Sequence, residues 1–108
     1  MPNFINSDIS KILSRKNEII LNEIHSIEYS ILMSSRDGKF ETIVNNTYMT
    51  DPMSSAAPLY YNTWKYNDDE IRADHMNQVI YYFNNLGYEI KRITNVSSLN
   101  TFSWKIRW

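Results

Sequence analysis

Apolar and polar residues alternate most regularly at the C-terminal end of the chain. Phe102, Trp104, Ile106 and Trp108 alternate with small or charged residues, and this period of two, with aromatic side chains, indicates a β-strand with one buried face. Residues 88–94 also favour a strand, and the Ser- and Asn-rich residues 95–100 between the two segments are typical of a turn. The sequence therefore predicts a C-terminal β-hairpin whose aromatic face must be covered by a helix.

The first third of the chain follows a helical period instead. Apolar residues recur every three or four positions after Ser7 or Asp8, either of which can cap a helix, and continue to about residue 35. Such a helix would measure roughly 40 Å, which is long for a small domain. It therefore either breaks near Lys16 or projects and packs on a partner chain. Residues 1–6 are predicted to form a loose arm. The acids of this segment are expected on the solvated face of the helix: Glu18, Glu23 and Glu28.

A second helix is predicted between residues 68 and 86. Asn67, followed by Glu70 three positions later, matches the pattern of a capping box. Gly87 provides the left-handed residue that commonly ends a helix, after which Tyr88 can pack back on the last turn. The buried stripe is expected to comprise Ile71, Met76, Val79, Ile80, Phe83 and Leu86.

A further strand is predicted between the two helices. Gly38 ends the first helix, and residues 39–48 then place Phe40, Thr42 and Val44 on one face. Paired with the C-terminal hairpin, this strand gives a three-stranded sheet. We therefore expect a single α+β domain over residues 1–108, in which two helices pack on a three-stranded antiparallel sheet in the order α-β-α-β-β.

Residues 50–67 are the least regular part, and two interpretations stay open for them. The segment is interrupted by prolines but rich in large side chains, so it either folds over the core as a lid or contacts another subunit. Tyr, Trp and Met are enriched at protein interfaces. The second interpretation predicts a protein interface formed with the first helix. Its residues are Tyr60, Tyr61, Trp64, Ile12 and Ile20.

The composition excludes several kinds of site. The 108 residues include no cysteine and only two glycines, which rules out a disulfide framework, a thiolate zinc site and a Gly-rich phosphate loop. His25 and His75 lack partners at metal-ligand spacing, and the acids at residues 68–70 fit a helix cap. No apolar run is long enough to span a membrane, and residues 1–6 show neither the basic region nor the apolar core expected of a signal peptide. We expect no catalytic, cofactor-binding or metal-binding residues, no small-molecule substrate and no enzyme activity, in a protein made and kept inside a cell.

The C-terminal hairpin provides an alternative function, because it is basic although the chain as a whole carries a net charge of −1. A helix followed by a basic hairpin is the layout of a winged nucleic-acid-binding module. The acidic start of the second helix is a poor match to a phosphate backbone, which makes nucleic acid the less favoured partner. The residues that would contact phosphates are Lys91, Arg92, Lys105 and Arg107.

Several pieces of the sequence occur in an order that resembles small, mostly uncharacterised proteins of tailed bacteriophages, especially marine ones. The pieces are residues 49–50, 60–64, 76–80, 83–92, 95 and 100–108. The closing pattern Gly-Tyr-x-Ile…Asn-Thr-Phe-x-Trp-x-Ile-x-Trp is its most specific part, and the resemblance covers roughly residues 24–108. This chain departs from it in a longer segment between residues 50 and 60 and an extended first helix. The resemblance implies a phage-encoded or virion-associated origin. Because the chain carries more apolar surface than one small domain can cover, we expect a small structural or assembly protein of the host cytoplasm or virion that binds itself or other phage proteins. The resemblance supplies no catalytic residues.

Overall fold

The part of the chain that the structure describes contains three helices and three strands. The computed structural model describes residues 18–95 and 98–108. In chain order the elements are α1 (Glu18–Arg36), β1 (Glu41–Val44), α2 (Ala57–Tyr66), α3 (Glu70–Asn85), β2 (Glu89–Thr94) and β3 (Phe102–Arg107). The predicted arm at residues 1–6, the predicted helix start at residues 7–17 and Ile12 all lie outside the described residues.

The sheet has β3 at its centre, antiparallel to both neighbours, in the order β1-β3-β2. Ile106 lies between Thr42 of β1 and Ile90 of β2, and Arg107 lies between Glu41 and Glu89. The central position explains why the strongest alternation belongs to β3, since its aromatic side must be covered along its full length. The predicted hairpin and the three-stranded antiparallel sheet are confirmed.

The helices cover one face of this sheet and enclose the core. The fully buried residues of α1 recur at helical spacing, and those of α3 do the same. Together with the inward side of β3 they form one cluster, which includes Ile20, Ile24, Ile27, Ile31, Met76, Val79, Phe83, Phe102, Trp104 and Ile106. The α+β class predicted from the sequence is therefore confirmed.

Two glycines end α1 and α3, as the sequence predicts. Gly38 and Gly87 have φ angles of +79° and +92°, a region that favours glycine because it has no Cβ. After Gly87, the backbone N–H of Tyr88 donates to the carbonyl of Phe83 at 3.0 Å, and the two rings stack edge-to-face at 6.0 Å. This hydrogen bond satisfies a carbonyl group that the helix end would otherwise leave unpaired.

The prediction of only two helices is wrong, because α2 forms within the segment expected to be irregular. The described order is α-β-α-α-β-β. Pro58 lies in the first turn of α2, where the missing N–H of proline has no partner to lose and its fixed φ suits a helix. Read from the sequence, the same proline indicated an interruption. The aromatic residues of this segment favour strands when considered alone, which is a second reason why the sequence did not indicate a helix.

The predicted cap of α3 is also wrong. Asn67 has a positive φ of 53° and ends α2 rather than beginning α3. The cap is Asp69, whose Oδ1 accepts hydrogen bonds from the N–H groups of Ile71 at 2.9 Å and Arg72 at 3.1 Å. These bonds lower the pKa of the Asp69 carboxyl group, first through the Arg72 N–H. The helix α3 therefore begins two residues later than the capping box predicted.

Two residues predicted for the buried stripe of α3 are exposed, and so is Phe40, which the sequence places on one face with Thr42 and Val44. Phe40 shares the parity of Thr42 and Val44, yet 73% of its surface is exposed, because α1 ends before it can cover that end of the sheet. Ile71 and Leu86 lie at opposite ends of the α3 region and are also exposed. The strand predicted over residues 39–48 is limited to β1, after which the chain turns at residues 45–51.

Candidate functional site

The outer edge of β1 presents backbone groups that pair with no described strand. The N–H of Trp108 donates to the carbonyl of Phe40 at 3.0 Å. Hydrogen-bonded pairs alternate in an antiparallel ladder, so Thr42 and Val44 also bond to β3. Glu41 and Ile43 must then direct their N–H and C=O groups away from the sheet. No other described strand pairs with β1, so this edge can accept another strand.

A groove of about 530 Å³ lies beside this edge, between α1 and the end of β1. Its helix side is lined by His25, Ser26, Tyr29 and Ser30, and its strand side by residues 43–47. The hydroxyl groups of Ser30 and Thr42 are 2.6 Å apart and hold the helix against the strand. Tyr29 and Ile43 are exposed, Ile43 at 49%. The groove thus combines a free strand edge with exposed apolar side chains.

The opposite edge of the sheet is protected differently. The β2 strand carries three charged residues, Glu89, Lys91 and Arg92, whereas Glu41 is the only charged residue of β1. Charged side chains on an edge strand oppose unwanted pairing. The edge formed by β1 is therefore the better candidate for pairing with another chain, although its four residues limit the strength of the contact.

The outer face of the sheet carries three of the four residues predicted for nucleic-acid contact. Lys91 lies directly opposite Lys105, and like charges in this position destabilise a sheet. Arg107 Nε and Lys105 Nζ lie 3.8 and 3.9 Å from the same carboxylate oxygen of Glu41, so part of the basic charge is neutralised. A concavity of about 200 Å³ is lined by Lys91, Lys105, Arg107 and Glu89 together with Ile90.

Arg92, the fourth predicted phosphate contact, lies on the opposite face. It is paired with Trp104 in the register of the sheet, so its side chain is directed toward the helices. Its guanidinium carbon lies 5.8 Å from the ring centre of Trp64, and Nη1 donates to the sulfur of Met76 at 3.4 Å. Burial lowers the pKa of Arg92 from its ordinary value. The four basic residues therefore do not form one surface.

The aromatic residues predicted to contact another subunit pack mainly on the core of their own chain. Tyr60 is only 2% exposed, and Ile20, the described α1 residue of this set, is buried too. Trp64 and Tyr61 are half-buried and pack against the core. The ring of Trp64 lies edge-to-face at 5.4 Å from Phe102. These positions fit the interpretation of the segment as a lid, because little of this aromatic surface is left for a partner.

A buried carboxylate on α1 was missed in the sequence. Glu23, expected on a solvated face, is 0% exposed, and its Oε2 accepts hydrogen bonds from the N–H of Met49 at 3.1 Å and from Trp104 Nε1 at 3.2 Å. Burial raises the pKa of Glu23, although these bonds act in the opposite direction. Glu28 is buried too and accepts a bond from the Tyr82 hydroxyl at 3.2 Å. Both acids occur at the spacing of the apolar stripe, which is the signal that could have revealed them.

Other polar groups lie near Glu23 without forming a recognisable catalytic arrangement. The hydroxyl oxygen of Tyr60 lies 3.0 Å from Nδ1 of His75, and burial raises the pKa of Tyr60 to about 12. The phenol therefore remains protonated at neutral pH. Arg72 pairs with the Asp69 cap. Glu23 accepts hydrogen bonds from a backbone donor and an indole donor. These bonds connect α1, β3 and the turn after β1, so the role of Glu23 is structural.

The described residues provide neither a cluster of metal ligands nor a membrane-spanning helix. Within residues 18–95 and 98–108, no three His, Cys, Asp or Glu side chains converge as metal ligands. No helix in the described part of the chain combines the length and the apolar character that crossing a membrane requires. Comparison with protein-family models, curated proteins and solved structures finds no match for this chain.

Proposed function

We propose that this chain is a small structural or assembly protein that acts through protein–protein contacts and self-associates through the free edge of β1. The observation that supports this proposal is the pair of outward-facing residues Glu41 and Ile43, whose backbone groups are directed away from β3. The exposed side chains of Tyr29 and Ile43 border the same edge. No enzyme activity is proposed.

In the proposed dimer, β1 of a second copy pairs antiparallel with β1, and Ile43 lies opposite its counterpart on the two-fold axis. Two such residues form an apolar cross-strand pair, and the two three-stranded sheets join into one. Each backbone hydrogen bond contributes only about 0.5–1.5 kcal/mol net, whereas association costs at least about 4 kcal/mol. A four-residue edge therefore gives a weak dimer that depends on protein concentration.

The resemblance to small proteins of tailed bacteriophages supports a phage origin. A weak edge contact suits an assembly protein, because many copies at high local concentration reinforce contacts that are individually weak. We accordingly propose a phage-encoded protein of the host cytoplasm or virion, with itself or other phage proteins as its partners. This origin rests on the sequence pattern alone.

The test is the molar mass in solution, measured by size exclusion with light scattering over a range of concentrations. We expect the mass to rise from monomer to dimer as concentration increases. Ile43→Lys places two ammonium groups at the axis and should abolish the rise, and Ile43→Pro should do the same by removing the N–H at the edge while the bonds from Thr42 and Val44 to β3 remain.

The matched control is Leu99→Lys, which makes the same chemical change at an exposed turn residue far along the chain from β1. It should self-associate as the wild type does. A wild-type protein that stays monomeric at all concentrations refutes self-association. A dimer that survives Ile43→Lys shows that another surface mediates it.

Nucleic-acid binding is a second candidate, favoured by the facing pair Lys91 and Lys105. A cross-strand pair of like charges costs stability, and a bound phosphate between them would remove that cost. Binding of a labelled single-stranded oligonucleotide should then weaken steeply with salt, and Lys91→Gln should reduce the salt slope by about 1. Binding that is absent even at low salt would exclude this function.

A further inference from the structure

A pocket of about 360 Å³ lies where α1 ends, at the end of the sheet nearest Phe40 and Trp108. Leu32 and Ser35 from the last turns of α1 form one wall, and Phe40 and Trp108 form another. The lining is completed by Arg36, Gly38 and Lys39. A second concavity, of about 390 Å³, lies on the β1 side and shares Lys39, Phe40 and Trp108 with the first.

The apolar part of this pocket exists because the sheet extends further than the helix that covers it. Phe40 and Trp108 continue the inward-facing rows of β1 and β3, since the Trp108 N–H bonds to the Phe40 carbonyl and extends the ladder. The chain turns away from α1 at Gly38, so Phe40 remains 73% exposed and Trp108 half-buried. Two aromatic side chains on the core side of the sheet are therefore left only partly covered.

The polar groups of the pocket are suited to an anion. Arg36 and Lys39 form no ion pair with any described acid. No carboxylate side chain lines the pocket, in contrast to the concavity on the outer sheet face, where Glu89 stands among the basic residues.

We propose that this pocket binds a small carboxylate with an apolar body. The apolar body lies between Leu32, Phe40 and Trp108, and the carboxylate accepts hydrogen bonds from the exposed side chains of Arg36 and Lys39. A guanidinium group matches a carboxylate in planar geometry, and aromatic side chains provide apolar contact area. The volume of about 360 Å³ lies near the lower end of ordinary ligand pockets, which hold about 300–1,000 Å³, so the ligand is small. This site is separate from the β1 edge and does not depend on self-association.

The experiment is an NMR titration of the labelled protein with 3-phenylpropionate, which has about eleven non-hydrogen atoms and fits this size. For a ligand of that size at ordinary efficiency, a dissociation constant in the millimolar range is expected. The amides of Gly38 and Lys39 and the indole of Trp108 should shift. The uncharged isostere 3-phenylpropanamide should bind at least about threefold more weakly than 3-phenylpropionate. Propionate, which lacks the ring, should not bind measurably.

Variants test separately the residues that bind the carboxylate and the residue that contacts the apolar body. In the double variant Arg36→Gln and Lys39→Gln, the preference for the carboxylate over the amide should disappear, whereas Lys91→Gln, an equivalent loss of charge on the outer face, should keep it. Phe40→Ser should weaken both ligands equally. Because these side chains are exposed, the variants are expected to fold, and their melting temperatures check this directly.

Several results would overturn the proposal. One is the absence of shifts at Gly38, Lys39 and Trp108 at ligand concentrations of tens of millimolar. Another is equal affinity for the carboxylate and the amide in the wild-type protein. A third is a carboxylate preference that persists when Arg36 and Lys39 are both neutralised. Repeating the titration with Ile43→Lys keeps the two proposals distinguishable, because that variant should be monomeric and should bind the ligand unchanged.

Discussion

The buried carboxylate of Glu23 allows a test of how this core is held together. Its Oε2 accepts two hydrogen bonds, from the backbone of Met49 and from the indole of Trp104. The residue thus connects α1 to the central strand and to the turn that follows β1. Burial raises the pKa of the carboxyl group from an ordinary value of 4.5, so folding favours its protonated form.

The sign of the pH dependence follows from proton binding. Between pH 4.5 and the raised pKa in the folded state, the native protein holds more protons at Glu23 than the unfolded chain does. The free energy of unfolding therefore falls as pH rises through this window, by at most about 1.4 kcal/mol per pH unit for a single group. The stabilising contribution is complete below the unfolded pKa and is lost above the folded one. Glu28, whose pKa is also raised by burial, adds a contribution of the same sign.

Two substitutions separate the charge from the hydrogen bonds. Glu23→Gln retains an oxygen for both donors but cannot ionise, so its stability relative to the wild type should improve as pH rises from 4.5 through the raised pKa of Glu23 in the folded state, and should then stay constant. Glu23→Leu leaves the Met49 N–H and the Trp104 Nε1–H without an acceptor. An unpaired buried donor costs about 1–3 kcal/mol, so this variant should lose about 2–6 kcal/mol at pH 4, partly offset by the apolar side chain.

The assay is urea unfolding followed by tryptophan fluorescence at closely spaced pH values between 4 and 8. Glu18→Gln, an exposed position on the same helix, is the control and should stay within about 0.5 kcal/mol of the wild type. A Glu23→Gln difference that is the same at every pH would refute the reasoning, because it would mean that the carboxyl group is not desolvated on folding. A Glu23→Leu variant as stable as the wild type at pH 4 would show that the two hydrogen bonds contribute nothing net.

Two further predictions concern α2 and the cap of α3. Asp69→Ala removes the acceptor for two N–H groups of the first turn of α3 and should lower the free energy of unfolding, measured in urea, by about 1 kcal/mol. Asn67→Ala leaves both of these hydrogen bonds in place. Trp64→Ala removes a ring packed on Phe102 and should cost about 2–4 kcal/mol without changing the oligomeric state, with the exposed Tyr66→Ala as its control. Loss of self-association with unchanged stability in Trp64→Ala would instead identify α2 as an interface.

The features that the sequence determined by itself are those with local causes. Strict alternation specifies the β3 strand, because side chains of a strand point to opposite faces whatever lies on them. Helical spacing specifies the core of α3, and Gly38 and Gly87 specify helix ends, because a positive φ strains any residue with a Cβ. These signals give the α+β class and the hairpin without knowledge of the tertiary contacts.

The features that only the tertiary structure decided depend on what lies across from a residue. Glu23 is buried rather than solvated, because Met49 and Trp104 provide hydrogen-bond donors for its carboxylate. Phe40 is exposed, because α1 ends too early to cover its ring. Arg92 is separated from Lys91 by the alternation of β2 and is desolvated against Trp64. The candidate sites follow the same rule. The free edge of β1 results from the strand order, and the apolar carboxylate pocket results from the different lengths of sheet and helix, neither of which has a local signature.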